Sequence, residues 1–127
     1  MTQKAIALIN LAINPAAAQA IESETANLQL TSSISSGLTG AGSTLGTALV
    51  LTSIYNDVST AAASTGVRAP SGIENGGKFV VRNRGANALT VYPVSASETI
   101  NGSASFSLAT NAGNTFVRAS ATTWFVF

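Results

Sequence analysis

Neither cysteine nor histidine occurs among the 127 residues, and those two absences remove a large part of enzymology. Thiol nucleophiles, Ser-His-Asp triads, zinc sites built on thiolate or imidazole, and haem ligation by these side chains are all excluded. Disulfides cannot stiffen the chain, so rigidity has to come from strand pairing and association. Charge is scarce too, at 9% of residues against about 25% in an ordinary soluble domain. A monomer keeps itself in solution with surface charge, whereas a subunit that covers much of its surface with copies of itself needs less. A surface rich in Ser, Thr and Asn is the other way to manage with so little. Aromatic residues make up only 6% although 46% of the chain is hydrophobic. Much of the apolar fraction is therefore alanine, and a self-sufficient core would be thin. The net charge of +1 leaves no dense cluster of Lys and Arg to displace phosphate counterions, so no direct nucleic-acid binding is expected. No apolar run approaches the roughly 18 residues of a membrane span. The acids Glu22, Glu24, Asp57, Glu74 and Glu98 are scattered, and no carboxylate dyad is visible among them. The expectation is a non-enzymatic chain with no cofactor, no metal and no small-molecule substrate.

What is present divides into two parts within the length of one domain. The start, "MTQKAIALINLAINPAAAQA", has two readings. A Lys, a short apolar run and an Ala-x-Ala-like segment resemble a weak secretory signal. Alternatively, "AIALINLAI" is a strand or partner-bound arm followed by a short helix, with Asn14 as N-cap and Pro15 at the first helical position, running to Glu24; the cap chemistry favours this one. Residues 1–24 are then an N-terminal arm, with Ile6, Leu8, Ile9, Leu11 and Ile13 as candidate interface residues.

Residues 25–127 read as a β domain. In "TANLQLTSSISS", Leu28, Leu30 and Ile34 alternate with polar residues, the pattern of a half-buried strand. The stretch "GLTGAGSTLG", Gly37 to Gly46, lacks the GKS/T ending of a phosphate loop and has the wrong glycine spacing for a dinucleotide site, so it reads as a mobile loop or linker. "TALVLTSIYNDV" supplies another strand, and "STAAASTGVRAPSG" returns to small residues. From Lys78 onward, "KFVVRN", "ALTVYP", "SFSLAT", "NTFVRAS" and "TTWFVF" are short segments divided by Gly, Asn and Ser-rich turns, at the spacing of an antiparallel sandwich or barrel. Asn101-Gly102 and Gly85-Ala86-Asn87 are tight-turn chemistry. Asn101-Gly102-Ser103 is also a glycosylation sequon, read here as a turn. Lys78, Arg82 and Arg84 share strand parity and so one face, which is either a solvated face or a partner-facing one.

The run from Gly66 to Phe127, with "NRGANALTVYP", then "ING", then "FSL" and a closing "TTW", resembles a segment of small virion proteins of tailed bacteriophages. The resemblance falls on Asn83, Gly85, Asn87, Leu89, Val91, Tyr92, Pro93, Ile100, Asn101, Gly102 and Trp124, which look like turn and core positions. It implies an all-β fold, an antiparallel β-sandwich of jelly-roll type, and no active site. It implies head decoration (cement) on the outer surface of the phage head, or a tail or fibre appendage. The partners would be copies of the chain, as a homotrimer, and the major capsid protein. The low charge and small-residue core agree with an oligomer; the trimer number comes from the resemblance alone. Two alternatives stay open: a receptor-binding or fibre module, and a secreted bacterial β-domain adhesin. The lack of an internal repeat, and Tyr92 and Trp124 read as core residues, favour cement over a fibre.

Overall fold

The computed structural model describes residues 32–127, which form ten strands and, among the described residues, no helix. In chain order these are β1 (Ile34–Thr39), β2 (Leu49–Val50), β3 (Tyr55–Thr60), β4 (Gly66–Arg68), β5 (Lys78–Asn83), β6 (Leu89–Tyr92), β7 (Thr99–Ile100), β8 (Phe106–Leu108), β9 (Gly113–Ser120) and β10 (Thr123–Val126). They make two sheets, one of six strands in the order β1-β3-β5-β9-β10-β7 and one of four in the order β2-β4-β6-β8.

Up to β6 the chain alternates between the sheets, and each return lays a strand parallel to the one before it. β1, β3 and β5 pair parallel in one sheet, and β2, β4 and β6 pair parallel in the other. Parallel neighbours cannot be joined by a tight hairpin, and here the opposite sheet serves as the crossover. The last strands reverse this. β9 runs antiparallel to β5, β8 antiparallel to β6 and β10 antiparallel to β9, with β7 parallel to β10 at the edge.

The all-β expectation therefore holds, while an antiparallel jelly-roll describes only part of the pairing. The reason lies in the corners. Asn83–Asn87 has turn chemistry, but it carries the chain from β5 in one sheet to β6 in the other instead of folding it back. The Asn83 side chain shapes this corner by donating to the carbonyls of Asn87 (2.8 Å) and Leu108 (3.1 Å) while accepting from the Gly85 N–H (2.9 Å). Gly85 is required by space: a Cβ there would lie 2.3 Å from the backbone nitrogen of Ala61.

Two further expectations are corrected. "TALVLTSIYNDV" is two strands, because Leu51 turns inward and Ser53 is buried at a corner that sends β2 and β3 to different sheets. Ser53 bonds Ser35 Oγ at 2.7 Å, and its carbonyl accepts from Asn56 Nδ2 at 2.9 Å. The glycine-rich stretch is not a linker. Gly37 to Thr39 belong to β1, the Gly40 N–H donates to the Thr60 carbonyl, and Ala41 bridges Gly66. The arm residues Ile6, Leu8, Ile9, Leu11 and Ile13, and the helix from Asn14 to Glu24, lie outside the described residues.

Four of the eight aromatic residues suffice for the core because those four are gathered in one place. Phe79 stacks on Phe116 with centroids 4.8 Å apart and meets Trp124 edge-on at 5.2 Å, and Phe106 meets Phe116 edge-on at 5.6 Å. Val58, Val67, Val81, Leu89, Val91, Ile100 and Leu108 fill the remaining space between the sheets.

Candidate interaction face

Side chains alternate along a strand, so the registers of the six-stranded sheet fix what its outer surface presents. On β5, Phe79, Val81 and Asn83 point into the core, which turns Lys78, Val80 and Arg82 outward. Val80 is paired with Tyr55 and Tyr55 with Ile34 on one side; on the other, Val80 is paired with Thr115, and Thr115 exchanges backbone hydrogen bonds with Phe127. A single row thus crosses the sheet: Ile34, Tyr55, Val80, Thr115, Phe127. The next row holds Lys78, Val117 and Phe125, and the row on the far side holds Asp57, Arg82 and Gly113.

Among the described residues, five large hydrophobic side chains are exposed, and four of them are on this face: Ile34 (72%), Tyr55 (37%), Phe125 (48%) and Phe127 (73%). Such concentration is unlike the single scattered apolar residues of an ordinary surface. Cations bracket the row. The Lys78 ammonium lies 5.8 Å from the centroid of the Tyr55 ring, within cation–π range. At the other end, Arg84 holds Asp57 in a fork, Nε to Oδ1 and Nη2 to Oδ2, each at 2.7 Å. Those hydrogen bonds hold the Asp57 carboxyl below the usual carboxylate range, with the Arg84 and Arg82 charges adding to the effect and desolvation opposing it. Arg82 keeps its side chain in solvent.

The other residues singled out from the sequence have structural surroundings. Leu89 and Val91 are fully buried, and Pro93 is buried at the end of β6. The Tyr92 hydroxyl donates to the Ser43 carbonyl at 2.8 Å, and Asn87 Nδ2 donates to the Ala61 carbonyl at 2.9 Å. Asn101 and Gly102, both at positive φ, make the turn after β7, and Asn101 Oδ1 accepts from the Val126 N–H at 3.1 Å.

Trp124 is fully buried, and its Nε1 donates to Glu98 Oε1 at 2.7 Å. The other Glu98 oxygen accepts from Ser95 Oγ at 3.0 Å, Arg118 Nη2 lies 3.7 Å from Oε1, and the Arg118 guanidinium covers the indole at 5.4 Å from its ring. The buried carboxylate is thus paired and hydrogen-bonded, the condition under which such a charge is tolerated.

Among the described residues no pocket opens, and no three acidic side chains converge as a metal site would require. Sequence reading placed the cations of the outer face but missed its apolar members Tyr55, Val80, Val117, Phe125 and Phe127, and it set Ile34 on the apolar side of a half-buried strand, whereas that side chain is exposed on the edge strand β1. The available signal was "TTWFVF", in which both parities are apolar, so that one of them has to face away from the core. Comparison with protein-family models, curated proteins and solved structures gives no match for the chain.

Proposed function

We propose that the chain is a structural subunit of a tailed-bacteriophage virion, a head-decoration (cement) protein that binds the shell as a closed cyclic oligomer. The observation that carries this reading is the row Ile34, Tyr55, Val80, Thr115 and Phe127 on the outer face of the six-stranded sheet, apolar except at Thr115 and flanked by Phe125, a surface of the kind a docking subunit presents to a partner. The resemblance of the segment from Gly66 to Phe127 to small virion proteins supports the setting, and the low charge of the chain supports association. The trimer is the copy number that the resemblance implies, and cyclic closure limits assembly. The two-sheet unit then occupies the place of a jelly-roll sandwich, with parallel winding replacing part of its connectivity. Many modest contacts, repeated over a symmetric shell, resist internal pressure through avidity.

Purified full-length chain added to phage heads that lack it tests this. Saturable binding at a fixed ratio to the major capsid protein, together with a higher temperature of head disruption, is the expected result; no binding removes the cement reading. One observation favours a second reading. The exposed rings of Tyr55, Phe125 and Phe127 also suit stacking on sugar faces, as in a receptor-binding module, and saturable binding to host-surface glycans without binding to heads would establish that instead.

A further inference from the structure

We infer that the outer face of the six-stranded sheet docks a protein surface that is apolar at its centre and carries carboxylates at its edge. This deepens the cement reading, and rests on it only in naming the shell as the place where such a surface occurs. Three features of the face decide the chemistry of its occupant. The face is aliphatic as much as aromatic, with Val80 and Val117 at its middle and Ile34 at the β1 edge set among Tyr55, Phe125 and Phe127. Aliphatic groups bury against protein side chains, whereas single-stranded nucleic acid needs stacking rings along a dense basic track.

The face also has an excess of positive charge. Among the described residues, Lys78, Arg82 and Arg84 stand against Asp57 alone, and Arg84 is already engaged with it. No further carboxylate among the described residues meets Lys78 or Arg82, which stand one on each side of the apolar row and are placed to meet carboxylates of a partner.

The placement of those two cations argues against a second copy of the same face. Both project outward from β5, the strand on which the row is centred, with Val80 between them. A two-fold axis along β5 sets Lys78 against its own copy and Arg82 against its own; an axis across β5 sets Lys78 against Arg82. Either isologous arrangement opposes like charges, and such juxtaposition is what excludes wrong partners.

The test needs no shell. Isotopically labelled full-length chain is titrated with three probes: a peptide of alternating Glu and Val, its Lys and Val counterpart, and oligo-dT. Backbone amide shifts are followed by NMR. The expected result is saturable shifts on β3, β5, β9 and β10 with the acidic peptide only. These weaken at least tenfold at high salt and in the K78E/R82E double variant, and are lost in F125S. The charge reversal lies on the exposed face, and an unchanged amide spectrum elsewhere shows that it folds.

Equal response to both peptides, or no response on this face to the acidic one, overturns the inference. A response to oligo-dT in place of the acidic peptide assigns the face to nucleic acid, and a dimer in sedimentation that F125S dissolves assigns it to a second copy; each result overturns it too. Failure of the chain to bind heads would remove the cement reading and leave the titration result standing, so the two failures are distinguishable.

Discussion

Trp124 shows how a single side chain can hold several parts of this molecule at once. It closes the aromatic cluster against Phe79 and supplies one of the two side-chain hydrogen bonds that Glu98 accepts, the other coming from Ser95. Trp124→Ala should cost about 3–5 kcal/mol, since the cavity and the lost ring contacts add to the unmet carboxylate. Urea unfolding measures it, and a midpoint close to wild type would contradict this account of the core. Asp57 and Arg84 act on a smaller scale, because the Arg84 side chain is half exposed (47%) and solvent screens the pair. The sign is fixed even so. The Asp57 carboxyl titrates lower in the folded state than in the unfolded chain, so the pair stabilises above the unfolded value and that contribution fades as pH falls through the folded one. Melting temperatures across pH should show Asp57→Asn slightly below wild type at neutral pH, the gap closing in acid below the usual carboxylate range.

Strands and corners were unequally legible in the sequence. β5, β6, β8 and β10 fall within segments picked out from alternation and turn residues, and β9 begins one residue before its segment, because each is long enough or well enough bounded to be seen. β2 and β7 have two residues each, too few for any periodicity. Pairing direction was hidden for a different reason: a strand of a parallel pair looks like any other strand, and the direction is set by where its corner leads. The glycines from Gly37 to Gly46 were read as freedom, whereas at least Gly40 answers a lack of space beside Leu89 and Thr65. The corner at Gly85 gives a test. Gly85→Ala sets a methyl against the Ala61 backbone, which cannot swing aside, and should cost about 2 kcal/mol through overpacking. Gly46→Ala meets nothing within 4 Å and should stay within about 0.5 kcal/mol of wild type. Equal effects at the two sites in denaturant titrations would refute the packing account of Gly85.

As a whole, the compact unit Ser32–Phe127 contains every described strand and the entire aromatic cluster. A fragment of residues 32–127 should therefore unfold in one cooperative transition and retain the near-ultraviolet circular dichroism of a fixed Trp124; a broad transition without that signal would refute its self-sufficiency. The winding of β1 to β6 also governs how such a molecule can change in length. Each parallel strand reaches its neighbour only after a visit to the opposite sheet, so material enters or leaves that region in whole circuits, one strand for each layer, of roughly twenty residues. A single residue inserted within a strand has to be absorbed as a bulge, as the register shifts of β1 against β3 are, or it turns every side chain beyond it to the wrong face. Lineages of this chain should differ in height by discrete steps, with the antiparallel strands β8 to β10 passing unchanged from one to the next as a common lid.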